Sequence, residues 1–198
     1  MSKGTNESQD LAADQDMAEA VMAAKIKNCL ARYCRAIDRR DKALLARCYW
    51  PGAIDDHINF KGSAEDYIEW VMPVVEAMEL TQHLLGQTYI EADQSQARAE
   101  TYFTAYHRLA INGVPHEVVF SGRYLDIFEE RENEWRIADR RVIADWYRDD
   151  AAAKDYWAAF ALAPAPAAYQ GSGTDGDPSH AIFARPRVVT QGVSDAAL

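Results

Sequence analysis

No segment of this 198-residue chain approaches the ~18 consecutive apolar residues that a membrane-crossing helix needs, so none is expected to span a bilayer. Basic residues are also in short supply. The chain has 21 Lys and Arg against 31 Asp and Glu, a net charge of −10. Binding a polyphosphate takes the opposite, a basic footprint that releases counterions, so no nucleic-acid partner is expected. Cysteine is scarce. Cys29, Cys34 and Cys48 all lie in the first quarter with no C-x-x-C pair, which argues against both a disulfide framework and a zinc clasp. G-x-G-x-x-G, Walker-type and G-x-S-x-G motifs are missing, leaving nucleotide, phosphate and acyl-enzyme chemistry without support. The first twenty residues carry no apolar run behind a basic start, as expected of a cytoplasmic protein. What is present, 48% hydrophobic and 26% charged residues, is the mix of a globular domain.

The pattern divides the chain into three parts. Residues 1–18 are polar and acidic and read as a flexible arm. Residues 19–148 form one body, enough for a single core. In the tail, 149–198, Pro and Gly recur, but Tyr156, Trp157, Phe160 and Phe183 are too apolar for a solvated linker. That tail is expected to pack on the body or on a neighbour, as a lid or an oligomer contact.

Within the body, Met22, Ile26, Leu30, Tyr33 and Ile37 recur at helical spacing and predict a helix over about 19–39. DKALLARCYW predicts a short second helix capped by Asp41 and stopped by Pro51-Gly52. AIDDHINF fits either a short strand or an irregular loop. Ser63 to Asp66 resembles a capping box that opens a third helix through about Ala77, loosened at Pro73. After residue 80 come four long segments rich in β-branched and aromatic residues, joined at Asp93–Ser95, Asn112-Gly113 and Glu132-Asn133. Three helices followed by four antiparallel strands predict an α+β fold: a cone-shaped α+β barrel with helices packed on a curved sheet and an apolar pocket inside.

The order of elements, together with YCRAIDRRD, YWPGAIDDH, Phe60-x-Gly62, TQHLLG and GRYLDIFEERENEWRIADR, resembles the SnoaL-like branch of the nuclear-transport-factor-two-like superfamily over about 33–141. Members that the chain resembles include scytalone dehydratase, hexachlorocyclohexane dehydrochlorinase and a diarylpropane lyase acting on lignin-derived dimers. All three eliminate a group from a cyclic or aromatic molecule without a cofactor. In the first two, an Asp ending the first helix faces a His on the first long strand, and Asp38 and His83 stand at those positions. Tyr33 occupies the place of a Lys in the dehydrochlorinase, which shifts the expectation from dehalogenation towards a phenolic or hydroxylated substrate. Arg140, five residues after Trp135, matches an Arg of the last strand, and His107 is placed like a second pocket His of the dehydratase.

The resemblance thus implies a cofactor-free, metal-free lyase. In it His83, oriented by Asp38, moves a proton while Tyr33 and Arg140 stabilise charge on oxygen. His107, Tyr49, Trp50, Phe103 and Tyr124 are expected to line the substrate pocket. Each residue also has an ordinary structural reading. Asp38 can pair with Arg35, Arg39 or Arg40 in solvent, and His83 can be a satisfied strand-end His. Tyr33 can be a core aromatic, Arg140 can bridge to Asp126 or Asp139, and His107 can be a buried structural His. Asp55-Asp56-His57 carries metal-ligand types, but adjacent residues seldom point at one ion, so a loop cluster at the pocket rim is expected. A proton-shuffling isomerase and a non-catalytic ligand-binding or association domain are the alternatives on the same fold. Long strands and the apolar tail predict a homo-oligomer, dimer or trimer.

Overall fold

A computed structural model describes residues 3–93, 95–151 and 171–184. Its helices are α1 (Lys3–Asp38), α2 (Lys42–Ala46) and α3 (Ala64–Glu76), with a further short helix at Pro178–Phe183. Its strands are β1 (Tyr49–Asp56), β2 (Lys61–Ser63), β3 (Leu80–Asp93), β4 (Gln96–Ile111), β5 (Val114–Arg131) and β6 (Glu134–Ala151). The six strands form one curved, unclosed sheet in the order β2-β1-β6-β5-β4-β3. All neighbours run antiparallel except β1 and β6, which are parallel.

The long strands are set by two tight turns. Asn112-Gly113 has φ of 52° and 80°, and Glu132-Asn133 has 53° and 62°. Two successive left-handed residues match the twist of the flanking strands, so each pair closes a two-residue hairpin. Along β4, Ala97, Ala99, Thr101, Phe103 and Ala105 are buried while Arg98 and Tyr102 are exposed. That period of two marks an inner face. Against the sheet lies α1, which packs on β3 and β6 and buries Ile26, Cys29, Leu30, Tyr33 and Ile37. Lys25 ties the helix to the β5–β6 turn through Asn133 Oδ1 at 2.5 Å and Glu130 at 3.6 Å.

Three boundaries differ from expectation. Helix α1 begins at Lys3, not at 19: the segment read as an arm is helical, and exposed from Ala12 to Val21. The Gln15–Glu19 bond, one turn apart, supports this exposed stretch. Helix α2 stops at Ala46, and Tyr49 and Trp50 already belong to β1. Pro51-Gly52 does not end a helix. It lies where the β1–β6 register shifts, with Gly52 at φ 78°. A residue without an N–H and one with a left-handed backbone are both suited to such a bulge. The cap assignments agree with the structure: Asp41 Oδ1 accepts from Leu44 N at 2.8 Å, and Ser63 Oγ from Asp66 N at 3.1 Å. Tyr156, Trp157 and Phe160 lie outside the described residues.

Where β5 crosses β6 the register shifts between Ser121 and Gly122. A Cβ on Gly122 would lie 2.0 Å from Ile143 O and 3.3 Å from Phe103 Cε1. The Gly122→Ala variant is therefore expected to lose about 2 kcal/mol or more, read as a lower urea midpoint with an unchanged slope.

Candidate active site

The last turns of α1 and the edge strand β3 meet at one charged contact. His83 Nδ1 lies 2.7 Å from Asp38 Oδ1, and His83 N donates to Asp38 Oδ2 at 2.9 Å. A carboxylate only accepts, so the Nδ1 nitrogen carries the proton and Nε2 is left as an acceptor. The second bond stops the carboxylate from rotating. Asp38 and His83 open on a pocket of about 410 Å³ lined by Ala31, Cys34, Arg35, Arg39, Leu84 and Leu85 in addition to themselves. Ala31, Cys34, Arg35 and Asp38 are spaced i, i+3, i+4 and i+7, so one stripe of α1 forms a whole wall. Burial pushes the Cys34 thiol up to about 12, with Arg140 opposing the shift and Asp38 adding to it. Cys34 is therefore a neutral thiol at neutral pH, apolar lining and not a nucleophile.

On the inner side, the His107 ring lies edge-on to His83 at 5.7 Å, and its Nδ1 is 3.1 Å from Thr81 Oγ1. His107 therefore neighbours His83 but is not among the residues that line the dyad pocket.

The remaining predicted residues fall into two other places. Arg140 is wholly buried and grips Asp126 with two hydrogen bonds, Nε to Oδ1 at 2.7 Å and Nη2 to Oδ2 at 2.8 Å. Its guanidinium lies over the rings of both Tyr33 and Tyr124, 4.2 and 4.1 Å from their centroids, and the two rings meet each other edge to face at 5.7 Å. Strand alternation sends the neighbouring Arg141 outward, 3.5 Å from Asp56. Phe103 stacks on Tyr124 at 4.1 Å. The Tyr33 hydroxyl shares a 2.6 Å bond with Tyr67, and the Tyr49 hydroxyl donates to Asp55 at 2.6 Å. Burial pushes all four tyrosines well above the usual phenol range, so they remain protonated donors. Tyr33, Tyr49, Phe103, Tyr124 and Arg140 are therefore one buried cluster, separate from the lining of the dyad pocket. Cys34 stands between the two groups, its thiol feeling both Asp38 and Arg140. Arg140 Nη1 is buried and has no hydrogen-bond partner among the described residues.

Trp50 joins neither group. Its Nε1 donates to Glu129 O at 2.9 Å, and Arg131 and Arg136 lie over its ring at 5.1 and 4.5 Å. The β1 bulge turns it away from the dyad, a placement that composition does not signal. Asp55 and His57 converge at 3.1 Å while Asp56 pairs with Lys61, so the Asp-Asp-His triplet splits instead of meeting at one point. The sequence points to Arg35 and Arg39 only as partners for Asp38 in solvent, not as pocket lining, and does not single out Tyr67 at all. For the two arginines the helical spacing from Asp38 was the available signal; for Tyr67 there was none.

Residues 19–141 match the model of the SnoaL-like domain. Among solved structures, the chain is similar to a scytalone dehydratase candidate from Novosphingobium aromaticivorans at 16% identity, covering 68% of this chain and 91% of that one with a TM-score of 0.60. It is similar at 15% identity to the hexachlorocyclohexane dehydrochlorinase LinA-type3 of Novosphingobium barchaimii, over 69% and 94% with a TM-score of 0.62. The Kfla4162 protein of Kribbella flavida gives 18%, 64% and 92%, with a TM-score of 0.58. These likenesses are likenesses of fold. No curated protein matches the sequence.

His107 gives the site a measurable acid sensitivity. Burial first, and His83 beside it second, lower its pKa from 6.5 to about 4, while Asp38 opposes the shift. Between those values the unfolded chain binds a proton that the native state refuses, so stability is full above 6.5 and falls as the pH drops towards 4. In urea titrations His107→Gln is expected to lose less stability than the parent between pH 7 and pH 5, by about 2 kcal/mol.

Proposed function

We propose, for a chain that belongs to the SnoaL-like domain family, that it is a cofactor-free lyase acting on a small phenolic aromatic molecule such as a lignin-derived diarylpropane diol. The observation that carries the reading is the Asp38–His83 pair, bonded through both carboxylate oxygens and opening on a pocket of about 410 Å³. Asp38 holds the imidazole so that Nε2 takes a proton and balances the imidazolium that forms.

On a para-phenol, His83 removes the phenolic proton. The ring then expels a benzylic hydroxide, which leaves as water with the proton from the imidazolium, and a quinone methide remains. Loss of a proton from the neighbouring carbon restores the aromatic ring. Where that carbon bears a hydroxymethyl group, its O–H proton is lost, the C–C bond breaks and formaldehyde departs. In either route the proton passes to His83 Nε2, neutral again once water has left, and from there to the phenolate oxygen where the electrons also end, so no oxidant or reductant is consumed. Arg140 and Tyr33 belong to the buried cluster and not to the pocket lining, so the reading gives them no contact with the substrate.

The test is a mass-spectrometric turnover assay, with chelator and no added cofactor, on phenolic 1,3-diols, benzylic alcohols and chlorinated rings. Loss of water, or of water plus formaldehyde, is expected, and His83→Ala should lower the rate at least about 100-fold. Unchanged mass with deuterium uptake from solvent would replace the lyase by an isomerase. Ligand binding without turnover that survives His83→Ala would make the pocket a binding module only.

The same reading includes self-association. Leu84, Tyr102, Trp146 and Tyr147 expose 57%, 41%, 54% and 73% of their surface on the long strands, which supports a homo-oligomeric partner. Sedimentation velocity is expected to give a species two or three times the 22.2 kDa chain, and a lone monomer at micromolar concentration would refute it.

A further inference from the structure

The dyad pocket has a positive wall that the elimination chemistry leaves unexplained. Although the chain carries a net charge of −10, two arginines, Arg35 and Arg39, stand among the eight residues that line it. Elsewhere the arginines are largely consumed: Arg108, Arg123, Arg131, Arg136, Arg140 and Arg141 each lie 3.5 Å or less from a carboxylate. Arg35 has no carboxylate partner among the described residues. Its Nη1 donates to Ser179 Oγ at 3.0 Å, and its guanidinium lies 4.4 Å from the centroid of the Phe183 ring. Both partners are neutral. They fix the side chain in place without cancelling its charge.

The carboxylate closest along the helix, Asp38, bonds to His83 through both oxygens and makes no ion pair with Arg35. Arg39 adds a second unfilled donor. Its Nε is buried and lies 3.2 Å from Asp177 Oδ1, yet makes no hydrogen bond. Asp177 is itself engaged, capping the short helix through Ser179 N at 3.0 Å and accepting from Ser172 N at 2.8 Å.

A planar guanidinium that is held in position and left uncompensated is matched by one kind of group, a carboxylate that can take two parallel N–H bonds. Arg35 and Asp38 are three residues apart on one face of α1, so a ring carrying its anion at Arg35 lies alongside the dyad. We propose that Arg35 is a carboxylate-binding residue of this pocket and that the substrate is an aromatic acid, its ring over His83 and its carboxylate on the guanidinium. This rests on reading the Asp38–His83 pocket as the substrate site, and it narrows the substrate from phenols in general to phenolic acids.

Calorimetric titration of the full chain with 4-hydroxybenzoate and with the neutral 4-hydroxybenzamide tests it without any turnover. The acid is expected to bind about 10-fold or more tightly than the amide. Arg35→Gln should bring the two to the same affinity, while His83→Ala should leave the difference in place. Arg98→Gln, on an outer groove with Tyr89 and Leu125, is the control and should change neither value. Arg35→Lys keeps the charge and loses the fork, so it should retain part of the preference; it also serves if Arg35→Gln does not fold. Equal affinities in the parent chain, saturable binding of neither compound, or a preference that survives in Arg35→Gln each overturn the proposal. Preference for the acid with no elimination on any phenolic acid removes the lyase reading and leaves the anion site standing. Elimination on neutral diols without the preference does the reverse.

Discussion

A guanidinium with no exposed surface sits at the centre of this fold, and the arrangement of the interior follows from keeping it there. Taking Arg140 out of water costs several kcal/mol unless charge and hydrogen bonds are returned to it, and Asp126 returns both through a two-pronged contact between register partners on β5 and β6. The two rings it lies against, Tyr33 and Tyr124, come from α1 and β5, so the helix is held to the sheet through the same group. Tyrosines brought into an apolar interior for their faces still carry hydroxyls that need partners. Tyr67 satisfies Tyr33, and Asp55 satisfies Tyr49. The polar interior is thus one connected set built around one charge, and removing Asp126 alone would leave the most expensive kind of defect, a buried unpaired cation.

The Asp38–His83 contact solves a different problem in the same fold. β3 is the last strand of an unclosed sheet, and an edge strand leaves outward N–H groups that invite pairing with another chain. At His83 that N–H is taken by Asp38, so the pair covers part of the edge as well as fixing an imidazole. The structural and chemical roles share one carboxylate. An imidazole tied to a helix end and a strand edge at once has little freedom to drift, which suits the general-base role proposed for it.

Much of this was legible in the sequence because it is carried by local chemistry. The two hairpins follow from Asn112-Gly113 and Glu132-Asn133, the caps from Asp41 and Ser63, and the opposite facings of Arg140 and Arg141 from strand alternation, with Arg140 singled out as the inward one by the family resemblance. The meeting of Asp38 with His83, 45 residues apart, was reached through family resemblance, since no periodicity links a helix end to a strand. Other features were hidden for identifiable reasons. The helical arm before residue 19 has no apolar face to give a period, and Gly4, Thr5, Asn6, Ser8, Asp10, Asp14 and Asp16 are weak helix formers. Trp50 was grouped with pocket aromatics because composition does not say which way a bulged strand turns. Tyr33 and Tyr67 bond across 34 residues, and only the packing of α3 against the rest of the body brings their hydroxyls together.

The end of α1 and the two residues that follow it therefore serve three environments. Tyr33 faces the buried ion pair; Ala31, Cys34, Arg35 and Asp38 face the pocket; Arg39 and Arg40, just past the helix, meet the segment 171–184, where Asp177 and Gly173 approach them, and Arg39 lines the pocket as well. At 3.6 residues per turn these stripes cannot move independently: rotating the helix to improve one contact would misplace the other two. Any shift that loosened Tyr33 from Arg140 would carry Asp38 away from His83 by the same rotation. The buried cation is in this way a positioning element for the dyad, although none of the contacts of Arg140 touches His83. The core and the site are one constraint, read from two sides of a single helix.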